Sequence, residues 1–209
     1  MPVIHNGEAL PHWCELRRFD ILTLTADQVI DQERREPKER LLTTSGTIQL
    51  LHPDGSVVLK ESQFFDLPPI SSWRLRACSP SAQLVRLSGR WGRDLGGCGI
   101  FRVAHQDRPT DKGDPVDYPK TTAIDSHYHD CDEYWIILEG AGTVVIGDRH
   151  FPVSAGDCVP IGMGHRHDFP SVTAPVKSVF FETTLEGARR VGHLWARTHG
   201  SAEPRLERI

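Results

Sequence analysis

The sequence predicts an all-β protein that ends in one short helix. Most of its 209 residues fall into short apolar or alternating runs, each bounded by Gly, Pro, Asp or Asn. Short strands at regular spacing are typical of a β-sandwich or β-barrel. The runs are RFDILTLT, GTIQLLH, SVVLKE, AQLVRL, GIFRVA, EYWIILEG, GTVVIGD and KSVFFET.

Two segments do not fit the strand pattern. In LEGARRVGHLWARTHG, residues 185–200, the side chains of Val191, Leu194 and Trp195 fall on one face at helical spacing, which predicts the helix. The segment AHQDRPTDKGDPVDYPKTTAID, residues 104–125, is rich in Pro, Asp and Gly. We expect it to be a connection, or a lip over a site.

Composition limits the function classes. The formal net charge of -4 gives no reason to expect a nucleic-acid partner. No run of about eighteen apolar residues predicts a membrane helix, and the first residues lack the basic start and apolar run of a signal peptide. Five cysteines with no C-x-x-C pair favour a reduced, cytoplasmic protein over a disulfide framework.

The stretch HYHDCDEYWIILEG, from His127 to Gly140, has the residue types of a metal site. Alternate side chains of a strand share a face, so His127 and His129 point the same way and Tyr128 points oppositely. Glu133 opens the next strand after a tight polar turn. Imidazole nitrogen and carboxylate oxygen suit Mn, Fe, Co, Ni, Cu or Zn at about 2.0–2.2 Å. The alternative is an ordinary strand and turn with two surface or packing histidines.

A third histidine follows in GDCVPIGMGHRHDF, residues 156–169, and favours the metal site. The patterns H-x-H-x3-E-x6-G and G-D-x6-G-x2-H resemble the two conserved motifs of the cupin superfamily. The matching residues are His127, His129, Glu133 and Gly140 in the first motif, and Gly156, Asp157, Gly164 and His167 in the second.

The resemblance implies a small antiparallel barrel of the double-stranded β-helix, jelly-roll-like type. It also implies one divalent transition metal (Mn, Fe, Ni, Co or Zn) held by His127, His129, Glu133 and His167. Departures from the family pattern fall on turns: Thr121, Gly162 and Ser171 stand where glycine, proline and asparagine are usual. His165 is a rival fourth ligand, because Pro160-x-Gly162-x-x-His165 also fits; the spacing from the Gly156-Asp157 turn favours His167.

The first half of the chain repeats this pattern weakly at an offset of 94 residues. Glu39 falls on Glu133 and Gly46 on Gly140, but Glu33, Arg35 and Trp73 replace the three histidines. We therefore predict two cupin barrels: a degenerate one without metal ligands in residues 1–90, and a metal-binding one with the C-terminal helix in residues 91–209. The alternative is that any two β-rich halves align this well by chance.

Four ligands would leave open positions on a six-coordinate metal, which is typical of a catalytic site. Glu133 and His165 are the candidate proton-transfer residues. Asp125 shares strand parity with His127 and is a candidate for substrate binding. Trp135 lies on the inward face of its strand and is a second candidate for substrate binding, as part of the pocket wall.

Three function classes remain open at this point. The first is an isomerase, epimerase or lyase that acts on a small hydroxy-carbonyl or sugar-like compound; the two-barrel pattern with one live site favours it by analogy of fold. The second is a dioxygenase, and the third is a non-catalytic small-molecule binding module. A small-molecule partner is expected, with neither nucleic acid nor membrane, and exposed barrel edges favour a homodimer.

Overall fold

A computed structural model describes residues 3–5, 7–110, 112–185 and 189–208. The described residues are nearly all strand and turn, which confirms the all-β prediction. The strands are β1 Leu16–Thr25, β2 Val29–Glu33, β3 Lys38–Ser45, β4 Thr47–His52, β5 Gly55–Lys60, β6 Phe64–Asp66, β7 Ser72–Ala77, β8 Ser81–Gly89, β9 Cys98–Val103, β10 Glu133–Ile146, β11 Arg149–Ser154, β12 Cys158–Ile161 and β13 His167–Glu182, and the helix is α1 Ala196–His199.

The contacts divide the chain into two compact units. One is Glu15–Trp91, and the other joins Met1–Cys14 to Gly92–Ile209. The described part of the N-terminal segment is tied to the second unit by Ile4, which exchanges backbone hydrogen bonds of 2.8 and 2.9 Å with Cys158. The domain division predicted from the sequence, 1–90 and 91–209, had assigned this segment to the first barrel.

The unit Glu15–Trp91 consists of two four-stranded sheets, ordered β1-β8-β3-β6 and β2-β7-β4-β5. Its strands alternate as the sequence does: in β7, SWRLRA, every second residue is buried. The buried faces of both sheets supply one apolar core. The core residues are Leu24, Leu41, Ile48, Leu50, Leu67, Trp73, Leu75, Ala77, Ala82 and Leu84.

The second unit is built around two long strands. β10 and β13 pair along most of their length in a sheet ordered β11-β10-β13-β9, and β12 also pairs with β10. Register shifts interrupt the β10–β13 pairing at several points, and such irregularities let a long strand bend around a core. The core lies between the bent halves of these strands. Its buried residues include Trp135, Ile137, Val144, Ile146, Val153, Val159, Ile161, Phe169 and Val176.

Strand pairing confirms the repeat at an offset of 94 residues. Leu42 pairs with Val85 in the first unit, and Ile136 pairs with Val179 in the second. Gly46 and Gly140 both have positive φ, of 69° and 82°. A Cβ at Gly46 would lie 2.3 Å from the Ser81 carbonyl oxygen, and one at Gly140 would lie 2.0 Å from that of Pro175, 94 residues after Ser81. Both units therefore need glycine at this equivalent position, where the backbones of two segments approach too closely for a Cβ atom.

The predicted short C-terminal helix is present, but it is shorter than the segment with the helical pattern. Only Ala196–His199 is helical; residues 189–195 are not, and residues 186–188 of the predicted range lie outside the described residues. Leu194 instead exchanges two backbone hydrogen bonds of 3.0 Å with Tyr128, which holds the chain extended. Val191, expected on the apolar face, has 65% of its surface exposed. Tertiary pairing of the backbone has overridden a local helical pattern here.

The segment 104–125 contains no strand or helix in its described part, as its composition predicts. No helix that the structure describes is long and apolar enough to cross a membrane. All five cysteines are free thiols.

Candidate metal centre

The four predicted ligands come from two places in the second unit. His127 and His129 lie just before β10, Glu133 is the first residue of β10, and His167 is the first residue of β13. His127 and His167 exchange backbone hydrogen bonds of 3.1 and 2.8 Å. This bridge sets the third histidine directly beside the H-x-H segment.

The donor atoms of the four side chains converge on one point. The Nε2 atom of His127 lies 3.0 Å from that of His129 and 3.0 Å from that of His167. The Oε2 atom of Glu133 lies 3.2 Å from His129 Nε2 and 3.0 Å from His167 Nε2. All four residues are at most 3% exposed, so the cluster is shielded from bulk solvent.

Hydrogen bonds fix the tautomer of each imidazole. The Nδ1–H groups of the three rings donate to backbone carbonyls: His127 to Asp125 at 2.7 Å, His129 to Gly192 at 3.0 Å and His167 to His165 at 2.8 Å. A neutral ring that donates from Nδ1 has a lone pair at Nε2. When all three rings are neutral, three lone pairs and a carboxylate oxygen therefore face one another.

This arrangement fits a divalent transition metal. Two donor atoms that each lie about 2.1 Å from one ion, at right angles, are about 3.0 Å apart, which is the separation found here. Glu133 Oε2 has no hydrogen-bond donor among the described residues, whereas its Oε1 accepts a bond of 2.7 Å from Trp135 Nε1. A cation would satisfy the buried, otherwise repelling, donor atoms.

The pKa directions of His127 and Glu133 suit metal ligands. Burial, with the neighbouring imidazoles of His167 and His129, holds the pKa of His127 well below its ordinary value. Burial disfavours the Glu133 carboxylate, but His129 and His167 outweigh it and hold the pKa of Glu133 well below its usual range. Burial also opposes protonation of His129, yet the Glu133 carboxylate raises the pKa of this ring. A metal therefore competes with a proton at His129.

A small cavity of about 120 Å³ adjoins the four residues. Its walls are mostly apolar, and its polar members besides the ligands are Glu182 and His193. The lining consists of Phe101, Ile124, His127, Glu133, Trp135, Phe180, Glu182 and His193. A cavity of about 150 Å³ holds benzene, so this one has room for a ligand of similar or smaller size.

The other predicted site residues are placed differently. Trp135 forms part of the cavity wall. Asp125 lies in a neighbouring groove and binds His193 and Trp195 through its carboxylate. The His165 ring does not line the cavity: its Nε2 lies 2.9 Å from the Arg205 carbonyl oxygen. A catalytic role for His165 stays a prediction without support from this geometry.

Sequence reasoning missed Glu182 and His193. Glu182 is the last residue of β13. Register shifts in the β10–β13 pairing lie between His167 and Glu182, so counting alternate residues from His167 does not predict which face Glu182 is on. Burial raises the pKa of its carboxyl, as does the Glu133 carboxylate, although His129 opposes them. His193 lies in the segment expected to be helical, and no spacing rule connected it to the ligands. The only signal in the sequence for His193 was that histidine is a residue type common in functional sites.

The comparisons with known proteins agree with the geometry. Residues 116–181 match the family model described as "Cupin domain". The chain therefore contains a cupin domain, and its fold is that of a two-barrel cupin. It is 49% identical, over its whole length and 97% of the relative's, to the uncharacterized protein y4oW of Sinorhizobium fredii (strain NBRC 101917 / NGR234).

Solved cupin structures share the fold at low identity. The oxalate decarboxylase of Lactobacillus farciminis, in a formate complex, matches with a TM-score of 0.57 and 8% identity over 91% of this chain and 88% of that one. The Bacillus subtilis oxalate decarboxylase, described with Mn(II) centres, matches with a TM-score of 0.54 and 10% identity over 82% and 70%. At these identities the likeness concerns the fold.

Proposed function

We propose that the protein is a metal-dependent enzyme that isomerises, epimerises or cleaves by elimination a small hydroxy-carbonyl compound. One observation carries the proposal: four potential metal-binding atoms converge beside a cavity that also contains a carboxyl outside that set, the carboxyl of Glu182. A structural metal site needs neither a cavity nor a further acid.

His127, His129, Glu133 and His167 would hold the metal. A bound divalent ion would supply a Lewis acid that polarises a substrate carbonyl. Manganese is the first ion to load, because a cupin of the same fold is described with Mn(II) centres. Iron, nickel, cobalt and zinc suit the same donor atoms.

The cavity limits the substrate. With about 120 Å³, it accommodates a molecule of about six heavy atoms, smaller than most sugars. Phe101, Ile124, Trp135 and Phe180 offer apolar contacts and exclude water. A three- or four-carbon hydroxy-carbonyl compound meets both conditions.

Glu182 is placed to move a proton. Its Oε1 atom lies 3.9 Å from His129 Nε2, and its side chain lines the cavity. Glu182 is not among the four residues whose donor atoms cluster, and its carboxyl lies within reach of a small ligand in the cavity. It would take a proton from substrate carbon next to a polarised carbonyl and return it.

The test combines metal analysis with proton exchange. The purified protein, grown in metal-supplemented medium, should contain about one transition ion per chain by mass spectrometry. In D₂O it should catalyse deuterium exchange into a member of a panel of three- and four-carbon hydroxy-carbonyl compounds, followed by proton NMR. Glu182→Gln should abolish exchange and keep the metal; Glu139→Gln, at an exposed position of β10, is the matched control.

Two results would contradict the proposal. Dissolved-oxygen consumption with an iron-loaded protein would identify a dioxygenase instead. A protein that binds small ligands but retains no metal would be a non-catalytic binding module.

A further inference from the structure

His193 is held on two sides at the edge of the metal cavity. Its ring stacks on that of His127, with centroids 3.7 Å apart and planes 6° from parallel. Its Nδ1 atom lies 3.0 Å from each carboxylate oxygen of Asp125. Asp125 is itself fixed, because it accepts a bond of 2.8 Å from Trp195 Nε1.

This anchoring determines what the other ring nitrogen offers. Asp125 is a hydrogen-bond acceptor, so the His193 Nδ1 atom carries the hydrogen, and Nε2 of the neutral ring presents a lone pair. Among the described residues, no hydrogen bond to Nε2 of His193 is found. His193 is therefore an oriented acceptor without a protein partner.

His193 stands where a ligand would enter. It lines the metal cavity and also the neighbouring groove of about 340 Å³, whose lining includes Lys112, Asp125 and Trp195. It therefore contacts both spaces, and its side chain is 48% exposed. The ring forms the boundary between the groove and the cavity.

Besides His193 and the proposed metal ligands, the carboxyl of Glu182 is the one polar side chain of the described lining that remains for a ligand. Phe101, Ile124 and Phe180 are apolar, and the indole N–H of Trp135 already donates to Glu133. A fixed acceptor in such surroundings favours a ligand that brings a hydrogen-bond donor. It disfavours a ligand that has only a hydrogen-bond acceptor at this position, since the lone pairs of that atom and of His193 Nε2 would both remain unsatisfied.

We propose that His193, positioned by Asp125, accepts a hydrogen bond from the substrate hydroxyl and thereby selects small hydroxy acids. This rests on the proposed function, because the ligand must occupy the metal cavity. The competing explanation is that His193 only buttresses the His127 ring. The two explanations differ in one measurable property, the preference for a hydroxyl-bearing ligand.

Lactate and methoxyacetate are suitable probes because they are isomers with the same charge, and only lactate has an O–H group. Binding of each to manganese-loaded protein is measured by calorimetry, with both enantiomers of lactate. Wild type should prefer one enantiomer of lactate over methoxyacetate by about tenfold, the effect of one well-oriented hydrogen bond. His193→Phe keeps a ring for stacking but loses the acceptor, and it should bind both isomers equally with unchanged metal content.

Asp125→Asn should reduce the preference without removing it, because the ring loses its fixed orientation. If His193→Phe does not fold, as judged by circular dichroism, His193→Leu gives the same comparison. Equal wild-type affinity for both isomers, no lactate binding at millimolar concentration, or a preference that survives in the His193 variants would overturn this inference. A wild-type protein without metal would instead overturn the proposed function, and the inference with it.

Discussion

Arg86 forms an ion pair with Glu39 inside the N-terminal barrel, where its Nη2 atom lies 2.6 Å from Glu39 Oε1 and both side chains are fully buried. Glu39 is the repeat equivalent of the metal-site residue Glu133, and Arg86 is that of Phe180. In the N-terminal barrel a guanidinium thus neutralises the Glu39 carboxylate. In the C-terminal barrel the equivalent carboxylate, that of Glu133, belongs to the candidate metal centre. Among the residues that the structure describes, the N-terminal barrel has no cluster of potential metal ligands.

Replacing Arg86 by Met should destabilise the protein by about 3–5 kcal/mol, because the buried Glu39 carboxylate would lose its counter-charge. Urea unfolding followed by fluorescence measures the change. Arg18→Met is the control: its ion pair with Asp20 is solvent-exposed and should contribute less than about 1 kcal/mol. The double variant Arg86→Met with Glu39→Leu should recover part of the loss. Equal effects of the two single Arg variants would contradict this account.

His167→Ala should abolish metal retention, whereas His165→Ala should keep it. The Nε2 atom of His167 lies 3.0 Å from His127 Nε2 in the donor cluster, while that of His165 faces the Arg205 carbonyl. Metal per chain after desalting, measured by mass spectrometry, decides between the two histidines. Retention in the His167 variant and loss in the His165 variant would reverse the ligand assignment.

Gly140→Ala should destabilise the protein by more than about 3 kcal/mol. The new Cβ would meet the Pro175 carbonyl oxygen at 2.0 Å, in addition to the strain of a φ of 82°. Gly147→Ala is the matched control: φ is also positive, at 59°, but nothing lies within 4 Å, so only about 1–2 kcal/mol is expected. Thermal and urea unfolding of both variants give the comparison, and similar losses would refute the steric explanation.

The contact between His5 and Asp157 should depend on pH. The Nδ1 atom of His5 lies 2.8 Å from Asp157 Oδ1, and this hydrogen bond and the carboxylate charge raise the pKa of His5. A raised pKa in the folded state means that the stabilisation is fully present below about pH 6.5 and is lost as pH rises through the folded-state pKa.

NMR titration of the His5 ring protons measures this directly. The midpoint in wild type should lie above about 6.5, and Asp157→Asn should return it towards that value. A wild-type midpoint at or below 6.5 would show that the N-terminal segment is not held by this pair.

The proposed homodimer, the cytoplasmic location and the metal's identity stay predictions from the sequence. The clustering of the four candidate ligands was predictable because H-x-H, Glu133 and the later histidine have spacings that strand alternation and one turn translate into space. The helix predicted within 185–200 is only four residues long, because a local period competes poorly with backbone pairing to Tyr128. Glu182 and His193 were out of reach, since they come to the cavity through bulged pairing and an irregular segment.

The sequence by itself determined the all-β class, the repeat and the residue types at the metal centre, because these follow from local periodicity and from the chemistry of side chains close in sequence. Tertiary structure alone decided which further groups face the cavity. Glu182 and His193 reach the cavity through contacts between distant parts of the chain; the one between His193 and Asp125 spans 68 residues. No local pattern encodes such distances, because they depend on how every intervening strand packs.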